Sequence, residues 1–276
     1  MNTESPIVVV GGTGITGRRA VSLLAGRGIP VRAASRSGQT RFVWDERATW
    51  EPALAGARAL YVVPLDGALL TAPLVELAVR LGVPKIVLLS GRGVDVPGYG
   101  EATSPVGATH TQGEAAVRAS GVAWTIVRPG WFAQNFTEGF FREAVAAGEI
   151  RLPAGDGAVS FVDAADIAEV AVAALTEDGH AGQVYELSGP RALTFAEVAA
   201  ALSAASGRAI RYVPVDEDAY VAEKIAEGWP VEDARALADT VTPVRKGMDA
   251  HISDGVWRAL GRPPRDFAEF VRDAGF

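Results

Sequence analysis

A doubly wound α/β fold is what this sequence predicts: a mainly parallel sheet joined to a smaller, mainly helical C-terminal region. Three observations predict it. Short runs of branched residues recur through the first half, densest at Ile7-Val8-Val9-Val10, and strands buried on both faces read this way. Between them lie Ala- and Leu-rich stretches, and strand–helix–strand alternation implies right-handed crossovers between parallel strands. Finally, 276 residues at 49% hydrophobic and 21% charged make a globular chain able to bury a sizeable core.

Taken in order, strands are expected at 7–10, 31–34, 41–43, 60–63, 85–89 and 124–127, with helices at 15–27, 71–81 and 109–119 between them. From about residue 130 the alternation loosens. Helices are expected at 138–147, 164–175, 195–206, 217–227 and 267–274, with a late strand near 184–188 returning to the sheet. Thr194 and Glu197 have capping-box spacing at the start of the third of these helices. The division expected is therefore a dinucleotide-binding unit over 1–132 and a substrate region over 133–276. Segment 91–107 holds five glycines and two prolines, which suits a long loop, either a lid or plain surface.

The first strand runs straight into Gly11-Gly12-Thr13-Gly14-Ile15-Thr16-Gly17, and a helix follows. Glycines at this spacing allow a tight turn, close approach of a pyrophosphate and close strand–helix packing. The helix start then offers free N–H groups and a positive dipole end. In this strand–turn–helix setting the motif predicts a Rossmann-type dinucleotide site at Gly11, Thr13, Gly14, Ile15, Thr16 and Gly17.

The acid that would grip the ribose of NAD about 20 residues further on is missing. Residues 18 to 44 contain no Asp or Glu but six arginines, at 18, 19, 27, 32, 36 and 41. The second strand ends at Ser35-Arg36, where a guanidinium suits a phosphate better than a hydroxyl. NADP(H) is the expected cofactor, against the plainer alternative that Arg36 is a solvated surface residue.

These residues, together with several later motifs, resemble the NmrA-like branch of the atypical short-chain dehydrogenases/reductases. The motifs are Phe42-Val43-Trp44-Asp45; Val87-Leu88-Leu89-Ser90; His110 with Glu114; Trp124 to Phe132, reading WTIVRPGWF, with Asn135-Phe136; Phe161 to Ala168, reading FVDAADIA; and Tyr185 to Pro190, reading YELSGP. Within that branch the chain is most similar to ergot-alkaloid-type reductases and type 2 NADPH:quinone oxidoreductases. The resemblance implies that Asp45 lies near the adenine, Val63 and Pro64 flank a ribose, and Ser90 lies at the nicotinamide ribose. It also implies that Pro129, Gly130, Trp131 and Phe132 line the nicotinamide end. Trp131, Phe132 and Phe136 are the expected substrate pocket, although Phe132, Phe136 and Phe140 at every fourth position also suit a core face.

The wider short-chain family uses a Tyr-x-x-x-Lys acid, and this chain departs from it. The helix that should carry the pair has His110 and Glu114; the lone match, Tyr220 and Lys224, falls in the C-terminal region. His110 and Glu114 are the candidate catalytic groups, with Glu114 holding His110 protonated or steadying a cationic substrate, or else an ordinary surface i,i+4 pair. Without the tyrosine, a quinone or an imine/iminium is the expected acceptor, because neither needs a strong acid. The function expected is an NADPH-dependent reductase of a small hydrophobic substrate. The alternative is a non-catalytic NADP(H) sensor that regulates a protein partner.

Other classes fit poorly. No cysteines and three scattered histidines argue against disulfides and metal sites. A net charge of −7 argues against a nucleic-acid partner. No apolar run approaches membrane-spanning length, and residues 1–6 lack a signal-peptide pattern, so a cytoplasmic protein is expected.

Overall fold

The structure is a computed structural model that describes residues 4–97, 99 and 104–275. The elements of the first half are β1 (Ile7–Val10), α1 (Ile15–Gly26), β2 (Val31–Ser35), β3 (Thr40–Arg41), α2 (Trp50–Leu54), β4 (Ala59–Val62), α3 (Thr71–Arg80), β5 (Lys85–Leu89), α4 (Pro105–Ala119) and β6 (Ala123–Pro129). The second half adds α5 (Arg142–Ala147), β7 (Glu149–Leu152), β8 (Ala158–Val159), α6 (Ala164–Thr176), β9 (Gln183–Leu187), β10 (Leu193–Thr194), α7 (Phe195–Ser206), β11 (Arg211–Pro214), α8 (Glu217–Ala226), α9 (Val231–Arg245), α10 (Gly255–Leu260) and α11 (Phe267–Asp273).

Seven strands form one sheet in the order β3-β2-β1-β4-β5-β6-β9, every neighbouring pair parallel. The order reverses between β1 and β4, and open α/β sheets leave a crevice at such a point, beyond the strands' carboxyl ends. Alternation sorts the strand residues onto two faces. Val8, Val10, Leu60, Val62, Ile86 and Leu88 pack on one side with Leu74, Ala78 and Val117 of α3 and α4. Ile7, Val9, Tyr61, Val87 and Val127 pack on the other with α1 and α6. Both faces are covered, which is why these strands read as unbroken apolar runs.

The expected boundary at residue 132 does not divide the molecule. Helix α6 packs its Ile167, Ala168 and Ala171 into the same core as Ala20 and Leu24 of α1, and β9 and Val256 of α10 join them. The second half thus supplies one flanking layer of the sheet as well as a separate aromatic core. That core gathers Phe136, Phe141, Phe161, Phe195 and Phe267 with Ile150, Leu202 and Val241.

Three local expectations are corrected. Segment 91–107 is not loop throughout: α4 begins at Pro105, with Ser104 accepting from the Gly107 N–H at 3.0 Å, and proline suits a first helical position. Residues 98 and 100–103 of this segment lie outside the described residues; Arg92, Val94 and Tyr99 are buried, while Asp95, Val96 and Pro97 are exposed. The helix expected at 138–147 is only its last part, α5. It is preceded by a 3-10 turn at Ala133–Phe136, so residues 132, 136 and 140 share no helical face. Helix α9 was not expected at all. The Thr194–Glu197 capping box is present in full.

Phe136 is 1% exposed, packed against Phe141 at 5.0 Å and Phe161 at 5.2 Å between ring centroids. It is core, not pocket, and among the described residues it does not line the cavity below. Phe136→Ala is expected to cost about 3–5 kcal/mol of stability, read by denaturant unfolding. Its KM for any acceptor should stay near the parent value; a raised KM at unchanged stability would return Phe136 to the pocket.

Candidate active site

A cavity of about 460 Å³ opens where the strand order reverses. Most of its inner wall comes from the segments at strand ends and the start of α1. Ile15 and Thr16 open α1, Val63 and Pro64 follow β4, Leu89 and Ser90 end β5, and Pro129, Gly130, Trp131 and Phe132 end β6. His110 enters from α4, and Leu237, Thr240 and Val241 close the far side from α9. The segment carrying Trp131 and Phe132 is pinned to its neighbour, the Val162 N–H donating to the Trp131 carbonyl and Ala133 N–H to the Val162 carbonyl, both at 2.9 Å.

The glycine loop beside this cavity is built for close approach. Gly11 has φ +79°, and a Cβ on Gly17 would lie 2.1 Å from the Gly11 carbonyl oxygen, so only glycine fits there. Helix α1 starts at Gly14 without a side-chain cap and with no acid in its first turn. By contrast, side-chain oxygens cap α4, α6, α7, α8 and α11. Its first amide N–H groups are therefore open to an anion.

The arginines at the loop resolve into roles. Arg18 and Arg19 pair with Glu138, Arg27 with Glu177 and Arg41 with Glu46, while Arg32 donates to the Ala53 and Ala55 carbonyls. Arg36 alone of the six has no ion pair or hydrogen bond among the described residues, and it is exposed in the turn after β2. Next to it, Ser35 Oγ is buried with no hydrogen-bond partner. An orphaned hydroxyl beside an unpaired guanidinium fits a phosphate group. Asp45 lies exposed in the turn that follows Phe42 and Trp44 and does not line the cavity.

His110 and Glu114 do not work as the expected pair. His110 is 9% exposed and lines the cavity, its Nε2 3.8 Å from Asp66 and its Nδ1 without a partner. Burial lowers its pKa below the usual histidine range, outweighing the opposite pull of Asp66 and Glu114, so the imidazole is neutral at pH 7. Glu114 faces elsewhere, accepting from Ser90 Oγ and bidentately from Arg128, all at 2.7 Å. Neither residue sits on an exposed helix face. Tyr220 is buried in the C-terminal core, and neither it nor Lys224 lines the cavity.

Several lining residues were not foreseen. Tyr99 is buried against the cavity and donates its hydroxyl to Asp249, whose carboxyl burial pushes above the usual range. Arg92 is the one cation of the described lining, and each of its three nitrogens makes a hydrogen bond. Nε meets Glu186 at 2.9 Å, Nη1 meets Ser160 at 2.9 Å and Nη2 meets the His251 carbonyl at 2.6 Å. Nothing local marks Leu237 or Thr240 in the sequence.

Fold and loop together define a dinucleotide-binding α/β protein with a largely apolar cavity at the carboxyl edge of its sheet. A family model described as NAD(P)H-binding matches residues 11–178. The chain is 36% identical over 282 residues to the NAD(P)H azoreductase of Xenophilus azovorans, covering 96% of each. It is 31% identical over 287 residues to the agroclavine dehydrogenase of Claviceps fusiformis, covering 97% of this chain and 96% of the other. Among solved structures, the NADPH complex of the quinone oxidoreductase QOR2 from Escherichia coli superposes with a TM-score of 0.76 at 26% identity, over 97% of this chain and 99% of that one. The chain belongs to the NAD(P)H-binding family and is an oxidoreductase, and the NmrA-like resemblance stands. Among the described residues no helix is long and apolar enough to cross a membrane.

A neutral buried histidine must gain a proton as the protein unfolds in acid. The pKa is lower in the folded state, so stability falls as pH drops below about 6.5, where the unfolded histidine begins to bind protons, until the folded pKa is passed. His180, also lowered by burial, contributes in the same sense. His110→Gln should therefore lose less stability than the parent between pH 7 and 5, read as the difference in denaturant midpoints. Parallel pH curves would show that His110 is not held neutral.

Proposed function

We propose that the protein is an NADPH-dependent reductase whose acceptor is a small, largely apolar molecule such as a quinone or an imine/iminium. The observation that carries this reading is the aromatic-walled cavity opening directly onto the loop and strand ends that suit a nicotinamide dinucleotide. The residues fit NADPH: the open α1 terminus and Gly11–Gly17 approach suit the pyrophosphate, and Ser35 with Arg36 suits a 2′-phosphate. When bound, the cofactor supplies hydride. Trp131, Phe132, Phe140, Leu237 and Val241 exclude water from the acceptor, and Ser90, Pro129 and Gly130 bound its inner end.

Charge narrows the acceptor. With Arg92 already paired to Glu186 and tied to Ser160 and His251, and with Asp66 exposed at the wall, the described lining favours a neutral or cationic acceptor over an anionic one. A quinone reduced by hydride leaves a stabilised phenolate that water can protonate, and an iminium is neutralised with no proton required. Both tolerate a site where neither Tyr220 nor Lys224 reaches the cavity. His110 lines the cavity with its pKa lowered by burial, which supports a neutral hydrogen-bonding role toward the acceptor and not that of a cationic acid. The names of the relatives, which include an azoreductase and a clavine dehydrogenase, support a reductase of aromatic or nitrogen-containing acceptors.

Fluorescence titration with NADPH and NADH, followed by turnover with menadione and a cyclic imine, tests the reading. Tight NADPH binding with turnover is expected; tight binding with none across a broad panel would favour a non-catalytic sensor. Arg36→Ala should weaken NADPH about tenfold or more, the size of a lost charged hydrogen bond, and leave NADH nearly unchanged. Equal losses for both would remove Arg36 from the 2′-phosphate. His110→Ala should lower kcat at saturating NADPH while cofactor Kd holds.

A further inference from the structure

Glu114 is a carboxylate on the buried face of α4, 5% exposed, and the reaction above makes no use of it. Arg128, at the end of β6, grips it with two parallel hydrogen bonds, Nε to Oε1 and Nη2 to Oε2, both 2.7 Å. The remaining Arg128 nitrogen, Nη1, donates to Asp95 at 2.8 Å, and Arg118 lies 3.4 Å from Glu114. Bidentate pairing with a guanidinium holds a carboxylate ionised, and an ionised carboxylate can only accept hydrogen bonds. Ser90 Oγ is 2.7 Å from Glu114 Oε1, so the proton between them belongs to the serine. With its one proton committed downward, the Ser90 hydroxyl can offer only lone pairs to the cavity it lines.

That is the reverse of what a serine beside a reacting carbonyl does. A lone pair at that point repels a developing oxyanion and attracts an N–H or O–H. We propose that Glu114, backed by Arg128, is a positioning residue that acts through Ser90, fixing its hydroxyl as a hydrogen-bond acceptor for donor groups at the nicotinamide end of the cofactor. This rests on the reading of the cavity as an NADPH site. Its donors are chemically available, since the nicotinamide ribose carries hydroxyls and the carboxamide an NH₂ group. It also assigns Ser90 to orienting the cofactor and away from polarising the acceptor.

The test is a double-mutant cycle on NADPH binding, read by fluorescence without any acceptor. Ser90→Ala and Glu114→Gln should each weaken NADPH about tenfold, the scale of one buried hydrogen bond. The double variant should be no weaker than the worse single, because residues in one network do not add. Ser90→Thr, which keeps the hydroxyl, should restore most of the affinity. Glu114→Gln leaves Arg128 short of a partner, so Glu114→Gln with Arg128→Met, which removes both charges, stands in if the single variant unfolds. A purely structural Glu114 would lower the melting temperature while its effect on NADPH multiplied with that of Ser90→Ala. Multiplying losses, or a Ser90→Ala protein that binds NADPH as tightly as the parent, would overturn the proposal. A parent protein that binds no NADPH would instead bring down the cofactor reading itself, and this proposal with it.

Discussion

Because all seven strands of the main sheet run parallel, every strand ends on the same edge, and that single constraint places everything the site needs. Parallel strands need crossovers, the crossovers cover both faces, and the covered faces leave only the carboxyl edge open. Where the order reverses between β1 and β4, no crossover bridges the edge, and the ends of β1, β4, β5 and β6 converge on one cavity. Gly11 and Gly17 belong to the same constraint. The strand must turn into its helix within a few residues, and a Cβ on Gly17 would strike the Gly11 carbonyl.

The second half of the chain completes that edge and is also tied into the sheet. Helix α6 and strand β9 lie within the main body, so the wall carried by Trp131 and Phe132 is braced from behind by Val162. Arg92 extends the brace, joining the end of β5 to Glu186, Ser160 and His251. Rigid support of this kind is what lets a cavity hold a cofactor and an acceptor in one geometry. It also pairs the one cation of the described lining with Glu186, so the same contacts that stiffen the wall shape what it admits.

Much of this was legible from the residues. The branched runs gave the six inner and edge strands of the first half to within about two residues, since two-sided burial leaves a strong pattern. The glycine loop was legible because backbone geometry restricts residue choice there. Helix α9 was not: its buried positions include only Ala234, Ala238, Val241, Pro243 and Val244, interleaved with charges and a proline, and its partners come from elements distant in sequence. Phe136 and Phe140 show the same limit. Their spacing suggested one face, but a 3-10 turn and the close packing of Gly139 on Asn135 send Phe136 into the core and Phe140 to the cavity.

The exchange of roles between His110 and Glu114 follows from where α4 sits. An exposed helix would let the two carry opposite charges one turn apart; a helix packed on the sheet cannot do so without desolvating both. The protein resolves the conflict by giving the carboxylate to Arg128 and leaving the imidazole neutral. A buried ion pair of this type adds little net stability, yet losing one partner costs about 3–5 kcal/mol. Its return is therefore specificity: Arg128 fixes Glu114, Glu114 fixes the proton of Ser90, and the cavity meets its ligand with a serine that accepts and a histidine that carries no charge. The electrostatic character of the site is thus decided beneath its floor, by residues that do not line the cavity.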